Sequence, residues 1–296
     1  MINNLTSVIA LDVGGSSVKS GIVKSSGSVY FVYNTPINSQ GSKEDVLKIF
    51  VNIIQMYLRK VDPNKLLGIA FGFPGPFDYE NGLCLIQGQS KYDNLYKVNI
   101  REELKRLLDF HNPILFCNDA KAAIIGEANY GAGQDFDRVI GITLGTGLGA
   151  GFIVDGVSVH EGDKIPQNAE LFPLKFNGKR ADDLFSTRGL IERFQKRGFS
   201  YSNIAEATKD IQHGNTSLIN VFREFGGDLG QFLRPFVDDF AADILIVLGG
   251  IAGAIEYCRS SLEDQLGIPV HPGKVQGAAL LGAAKLFNRI HAFDNV

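Results

Sequence analysis

Two glycine-rich segments of this chain run in parallel. Residues 10–23 read ALDVGGSSVKSGIV and residues 141–154 read GITLGTGLGAGFIV. Laid side by side without a gap, each gives an apolar run, a Gly-rich turn and a second apolar run ending in Ile-Val. A strand that turns through glycines into another strand bares backbone N–H groups in a concave turn, a setting that suits a phosphate oxygen. Two such hairpins, each opening its own half of the chain, imply a duplicated fold that clamps a polyphosphate between its halves. That constrains the fold and the chemistry together, and the chemistry it points to is phosphoryl transfer.

A chain of 296 residues is long enough for two domains, and 45% apolar residues suffice for a real core in each. The net charge of −3 gives no general electrostatic reason to bind nucleic acid or an anionic membrane. One stretch departs from this balance: between Lys175 and Arg197, the cations Lys179, Arg180, Arg188, Arg193 and Lys196 outnumber the acids. Charges at helical spacing read first as a solvated face, with an anion site as the alternative. Cys84, Cys117 and Cys258 are scattered, without metal or redox spacing, as expected of reduced thiols. The opening MINNLTSVIALDVGG lacks a basic region and its apolar run meets Asp12, so it does not read as a signal peptide. The longest apolar stretch, ILIVLGGIAGAI, falls short of the ~20 residues that span a bilayer. A cytoplasmic location is expected.

Along the first half, strands are expected at Ser7–Val13, Val18–Val23 and Val29–Tyr33. Ser42 with Asp45 resembles a capping box ahead of an amphipathic helix, and Asn99 opens a second helix through Leu108. The second half repeats the order. Strand Arg138–Leu144 leads into the Gly-rich turn, Gly151–Val154 returns, and a helix-rich stretch over about Asp182–Val237 precedes the apolar strand ADILIVLGG. Strands alternating with helices imply an α/β architecture.

Asp12 closes the first apolar strand immediately before Gly14, Gly15 and Ser16. A carboxylate there can orient Mg²⁺ or its waters beside phosphates, and the glycine N–H groups can contact phosphate oxygens. Lys19, on the following strand, can aim a charge at the same place. In the second turn Gly145, Gly147 and Ala150 fit the GxGxxA dinucleotide pattern, which requires a helix to start at the glycines. Strand and turn follow instead, so a Rossmann-type dinucleotide site is not expected. Thr146 adds a hydroxyl to that turn, as Ser16 does to the first. The third element, ILFCNDAKAAIIGEANYGAG, reads as a strand ending at Cys117, an Asn118-Asp119 turn and a helix that stops at Gly131. A carboxylate at that helix start is kept ionised by the dipole, so Asp119 serves either as a general base or as an N-cap. On the residues alone both roles stay open.

LDVGGSSVK, GFPGPFD, NDAKAAIIGE, GITLGTGLGAG and ILIVLGGIAG follow one another in the order found in the ROK family of sugar kinases and sugar-responsive repressors. The chain resembles that family from about Ser7 to Ala284. The resemblance implies two related α/β domains of the actin-like ATPase (ribonuclease H-like) fold with an interdomain cleft. It implies a small N-terminal domain of residues 1–117 plus 281–296 and a large C-terminal domain of residues 118–280. Asp119 resembles the family's catalytic base, which takes the proton of a sugar 6-hydroxyl. Asn118, Gly75 in GFPGPFD, Glu170 and Asp183 match sugar-binding positions, with Asp182 an alternative to Asp183. Asp12, Gly14, Gly15, Ser16 and Lys19 match the first phosphate segment, Gly145, Thr146 and Gly147 the second, and Gly249, Gly250 and Ala252 the adenosine segment. Lys91, in GQSKYDNLY, falls in the region that should approach the sugar, but reads on its own as a surface lysine.

One departure stands out. Where the family has Glu-x-Gly-His followed by a cysteine-rich zinc motif, this chain has Ala169-Glu170-Leu171-Phe172-Pro173 and no motif cysteines. No zinc site is therefore expected. The shortened stretch PQNAELFPLKFNGKRADDLFS is similar to the branch containing polyphosphate glucokinases. The resemblance thus implies an ATP- and Mg²⁺-dependent glucose-type kinase, with polyphosphate as the alternative donor, and a homodimer. A non-catalytic sugar sensor is the other class considered. The family's repressors carry a winged-helix module before the first phosphate motif, whereas here the first strand begins by Ser7, so catalysis is the expectation.

Overall fold

In the computed structural model the described residues are 6–291. The first residues of the opening segment weighed above, and positions 292–296 of the expected small domain, lie outside them. The chain forms two compact units: one runs to Gly126 and resumes at Gln276, and the other is Glu127–Val275.

The first unit contains, in order, β1 (Ser7–Val13), β2 (Ser17–Lys24), β3 (Val29–Pro36), α1 (Lys43–Leu58), β4 (Leu66–Phe73), the two-residue strands β5 (Phe77–Asp78) and β6 (Leu83–Cys84), α2 (Ile100–Leu108), β7 (Ile114–Asn118) and α3 (Asp119–Tyr130). Its sheet has the order β3-β2-β1-β4-β7, with an antiparallel hairpin on one side and parallel strands on the other. α1 starts where the capping box requires: Ser42 Oγ accepts from the Asp45 N–H at 3.1 Å, an arrangement worth about 1 kcal/mol. Asn99 caps α2 in the same way through the Glu102 N–H. The chain has 21 Phe and no Trp, and stacked or edge-on rings fill its interior. Phe71 stacks on Phe116 with centroids 4.9 Å apart, and Phe50 meets Phe71 edge-on. Each such ring, buried, contributes about 1.5–3 kcal/mol.

The second unit contains β8 (Arg138–Leu144), β9 (Leu148–Val154), β10 (Val157–Val159), the short hairpin β11 (Lys175–Phe176) and β12 (Lys179–Arg180), α4 (Ala181–Leu184), α5 (Thr187–Lys196), α6 (Ile204–Gln212), α7 (Leu218–Phe240), β13 (Ile244–Leu248), α8 (Arg259–Leu266) and β14 (Val270–Pro272). Its sheet order, β10-β9-β8-β13-β14, repeats that of the first unit strand for strand and direction for direction. The duplication expected from the two hairpins therefore extends to whole sheets. The gapless match between the hairpins does not hold through the turn, however. Val13 pairs with Val18 across the first turn, whereas Leu144 pairs with Leu148 across the second, which is one residue tighter. A one-residue slip inverts the faces of a strand. The equivalent of buried Val18 is accordingly buried Leu148, with half-buried Gly149 in the next position.

After the second unit the chain returns as α9 (Ala278–Ala284) and α10 (Leu286–His291), and α9 packs on β1 and β4. Its small residues permit backbone contact with α3. A Cβ on Gly126 would fall 1.9 Å from the Ala278 carbonyl oxygen, and one on Gly282 would fall 1.8 Å from that of Ala122. This contact holds the first turns of α3 in the first unit. The first compact unit thus includes the start of α3, through Gly126. Gly282→Ala is expected to cost about 1–3 kcal/mol or more, because backbone must move to admit the methyl group. Calorimetry should show the midpoint falling by several degrees; an unchanged midpoint would refute the contact.

Candidate active site

In the first unit the chemistry collects at the C-terminal ends of the parallel strands, where ligands bind in open α/β sheets. Asp12 is the penultimate residue of β1, Gly72 lies beside it on β4, and Cys117 lies beside Gly72 on β7. Asn118 and Asp119 follow at once. Gly72 is the hub of this arrangement: a Cβ there would meet the Asp119 Cα at 3.5 Å and an Asp12 carboxylate oxygen at 3.9 Å.

The strand runs through Asn118 and α3 begins at Asp119, with no turn residue between them. Asn118 Oδ1 accepts from the Lys121 N–H at 3.1 Å, so the cap of α3 is Asn118. Asp119 is thereby relieved of the capping role left open above; one of its oxygens accepts from the Ala120 N–H at 2.9 Å. Burial pushes its carboxyl above the usual range, against that amide and the charge of Lys91. Burial also pushes Asp12 up, to about 6, with a second contribution from the Asp119 charge and opposition from Lys19. Lys19 sits opposite Asp12 in the β1–β2 register. The Asp119 charge thus adds to the cost of ionising Asp12 in one partly desolvated place.

The first Gly-rich turn closes with a Gly14 N–H to Ser17 carbonyl bond of 2.9 Å. Gly15 and Ser16 are exposed, and the space over Gly15 is open. Tyr92, absent from the sequence reading, is fully buried and donates its hydroxyl to the Gly14 carbonyl. Its ring packs on Phe73 at 5.4 Å. Tyr92→Phe is expected to destabilise the protein by about 1 kcal/mol, the worth of one hydrogen bond, measurable by urea unfolding. No change at all would mean that the contact does not anchor the turn. Tyr79 was missed as well. Its hydroxyl receives the Asn118 side-chain amide at 3.2 Å, donates to the Phe73 carbonyl at 3.1 Å and lies 3.2 Å from where a Gly75 Cβ would be. The structure therefore brings Gly75 and Asn118 together through a tyrosine. Lys91, read above as a surface lysine, is half-buried, and its charge favours the ionised form of Asp119.

In the second unit, Gly145, Thr146 and Gly147 form the turn at the end of β8. Its backbone is held by the Thr187 N–H on the Gly145 carbonyl (2.8 Å) and by Gly149 N–H on Thr143 Oγ1 (3.1 Å). Asp182 Oδ1 accepts from the Leu148 N–H at 2.9 Å, and a Cβ on Gly147 would meet that same oxygen. Of the two adjacent aspartates it is thus Asp182 that engages the turn. Asp183 is 52% exposed and pairs with Arg188 at 2.8 Å. Gly249, with φ of 87°, brings its chain against Leu144; a side chain there would strike the Leu144 carbonyl. The Ile251 N–H bonds that carbonyl, and the Ala252 N–H bonds the Gly249 carbonyl. Gly249, Gly250 and Ala252 therefore lie beside the Gly145 turn. Glu170 is half-buried after a short turn in which Asn168 and Ala169 hold left-handed φ of 57° and 55°. Part of the basic stretch is paired with acids: Arg193 with Asp228, Lys196 with Glu192 and Arg197 with Glu224.

A repeated sheet of this order, with a glycine hairpin turn after the first strand of each unit, is the actin-like fold. The family model for the ROK family matches residues 8–290, and the chain belongs to that family. It is similar to the glucokinase of Thermotoga maritima, 24% identical over 94% of this chain and 96% of that protein. Among solved structures, the ROK hexokinase of Thermus thermophilus shares the fold with a TM-score of 0.79, at 21% identity, covering 98% of this chain and 100% of that one. A ROK family transcriptional regulator, a homolog of the E.coli MLC protein, does so with a TM-score of 0.78 at 18% identity, covering 96% and 78%.

Proposed function

We propose that this protein is an ATP-dependent hexose kinase that transfers the γ-phosphoryl group to the 6-hydroxyl of glucose or a closely related sugar. The observation that carries this reading is Asp119, a half-buried carboxylate relieved of capping by Asn118 and placed with Asp12 around Gly72. The likeness to a glucokinase and to a hexokinase fold supports it.

In this reading Asp119 accepts the 6-hydroxyl proton as the sugar oxygen forms its bond to the γ-phosphorus. The bond from that phosphorus to the bridging oxygen breaks, and ADP leaves with the electron pair. Phosphoryl transfer of this kind depends on positioning, charge neutralisation and one acceptor base. Asn118 and Gly75 of the first unit orient the sugar, and the family resemblance adds Glu170 and Asp183 as sugar-binding positions. Gly14, Gly15 and Ser16 of the first unit, and Gly145, Thr146 and Gly147 of the second, offer N–H and hydroxyl donors to phosphate oxygens. Gly249, Gly250 and Ala252 receive the adenosine. Among the described residues no three His, Cys, Asp or Glu side chains converge to hold a metal. Asp12, a carboxylate beside the first glycine turn, would hold a Mg²⁺ brought in with the nucleotide. Such an ion, when bound, neutralises phosphate charge.

ATP is favoured over polyphosphate because the cations of α5 are already paired with acids of their own unit. A cytoplasmic homodimer belongs to the same proposal and rests on the family resemblance. Among the described residues no helix is long and apolar enough to cross a membrane. The fold likeness to a ROK regulator supports a second reading, a sugar sensor without turnover. ADP release from Mg-ATP across glucose, mannose, fructose, glucosamine, N-acetylglucosamine and N-acetylmannosamine, with polyphosphate as a second donor, separates the readings. Sugar-dependent turnover supports the kinase. Sugar binding without turnover for any pair supports the sensor.

A further inference from the structure

Asn118 ends β7 beside Phe73, the last residue of β4, and its side-chain amide has two unlike ends. The hydrogen bonds around it decide which end goes where. The Lys121 N–H can only donate, so the atom that meets it at 3.1 Å is the amide oxygen. The nitrogen is thereby turned to the Tyr79 hydroxyl at 3.2 Å, and that hydroxyl gives its own proton to the Phe73 carbonyl at 3.1 Å. The relay runs one way, from amide to hydroxyl to carbonyl, because a carbonyl cannot donate. Tyr79 is itself fixed from several sides. Its ring packs on Phe77 with centroids 5.2 Å apart, and Phe77 packs on Phe73 and Phe116 at 4.9 and 5.1 Å. Arg101 donates to the Ile114, Glu80 and Tyr79 carbonyls at 2.9, 2.6 and 3.4 Å, which ties the tyrosine's backbone to β7. The Asp78 carboxylate accepts from the Asn81 N–H and side-chain amide at 3.0 and 2.8 Å, closing the turn that carries Tyr79. Gly75 leaves room beside this relay: a Cβ there would stand 3.2 Å from the Tyr79 hydroxyl and 4.0 Å from the Asn118 nitrogen.

We propose that Tyr79 is a specificity-determining positioning residue, which locks the Asn118 amide so that an N–H, and not the carbonyl, is offered beside Gly75 to a sugar hydroxyl. The proposal rests on the kinase reading of the site, in which Asn118 orients the sugar. An amide nitrogen carries two hydrogens; the Tyr79 hydroxyl receives one, and the sugar receives the other. A donor fixed in this way selects for an atom with a lone pair. It takes a hydroxyl oxygen and rejects a sugar with only hydrogen in that place, because the amide is then left desolvated and unpaired. It rejects a protonated amine there as well. Without the tyrosine hydroxyl, the amide is held by the Lys121 bond alone, about a torsion that is broad and two-fold. The loss then falls on sugar binding rather than on turnover, since bound sugar and transition state make the contact alike.

The experiment is a double-mutant cycle with Tyr79→Phe, Asn118→Ser and the two combined. It is run with glucose and with its monodeoxy analogues, each of which keeps the 6-hydroxyl. Serine has no amide but is a good N-cap, so α3 keeps its start, and thermal melting checks that every variant is folded. Tyr79→Phe is expected to raise KM for glucose about 3- to 10-fold, the worth of one hydrogen bond, with kcat and KM for Mg-ATP within about twofold. One deoxy analogue should be penalised about 10-fold or more in kcat/KM by the unaltered protein, and that penalty should shrink to about threefold or less in Tyr79→Phe. In the Asn118→Ser background, Tyr79→Phe should raise KM no further. An unchanged KM for glucose in Tyr79→Phe overturns the proposal. So does a raised KM with the deoxy penalty intact, which gives the tyrosine a structural role only. An undiminished effect in the Asn118→Ser background overturns it too, because Tyr79 then acts without Asn118. Absence of sugar-dependent turnover in the unaltered protein brings down the kinase reading and this proposal with it, and is seen before any variant is compared.

Discussion

Replacing Asp119 with Asn is expected to leave the protein folded and to lower kcat by roughly 10²–10⁴-fold or more, the range for loss of a general base. The fold should survive because α3 is capped by Asn118, whose bond to the Lys121 N–H the change does not touch. The replacement keeps an oxygen that can accept from the Ala120 N–H, so no buried donor is stranded. What disappears is a site for the sugar proton. The pH dependence has a definite sign. Burial raises the Asp119 carboxyl above its ordinary range, so turnover by the unaltered protein should fall on the acid side as this group takes up a proton. The variant should show that limb no longer. A further consequence can be read on Asp12, whose upward shift comes partly from the Asp119 charge. NMR titration of Asp12 in Asp119→Asn should find its pKa lowered. A two- or three-fold fall in kcat would return Asp119 to a structural role.

Asp12→Asn should act in opposite directions on stability and activity. In the folded protein Asp12 titrates at about 6, against 3.8 for an ordinary aspartate. Between these values the folded state holds a proton that the unfolded state has released, so stability falls as pH rises through this window and stays lower above it. A neutral side chain removes that loss. The variant should therefore be more stable above about pH 6 by up to about 2–3 kcal/mol, with the slope between pH 4 and 6 flattened. Its turnover with Mg-ATP should meanwhile fall about 10²–10³-fold, the usual loss when one preorganised electrostatic group is removed from a phosphoryl-transfer site. Gain of stability with loss of rate is the pattern of a charge kept for function. Urea unfolding at several pH values, paired with the ADP-release measurement, reads both. A less stable variant would show that Asp12 is instead held by partners that favour its charge.

Much of this arrangement was legible in the sequence because glycines, caps and apolar periodicity are local signals. The two hairpins, the capping box at Ser42 and the helix opened by Asn99 all depend on residues within a few positions of one another. What the sequence left open has non-local causes. The turn of the second hairpin is gripped from outside by Asp182 and Thr187, and an apolar pattern alone tolerates a one-residue slip there. The choice between Asp182 and Asp183 depends on which side of a four-residue helix faces β9, and two adjacent identical residues carry no hint of that. Lys91 and Tyr92 reach Asp119 and Gly14 only through tertiary folding, from a loop whose left-handed positions are occupied by Ser and Tyr rather than Gly. Gly72 was hidden because a glycine in an apolar strand reads as packing until its neighbours across the sheet are known.

The way the chain threads its two units bears on how it is made. Glu127 and Val275, at the two ends of the second unit, are joined by a hydrogen bond of 2.7 Å from the Val275 N–H to the buried Glu127 carboxylate. Everything between them is one continuous stretch, so on the ribosome that unit can close as soon as Val275 emerges. The first unit begins earlier and finishes later. Its strands β1 and β4 wait for α9 to cover them, and α9 is synthesised only after the whole of the other unit. The part of the molecule that is translated first is therefore the last to be completed. Until then, a sheet edged by the exposed aromatic residues of β3 must persist without its covering helix.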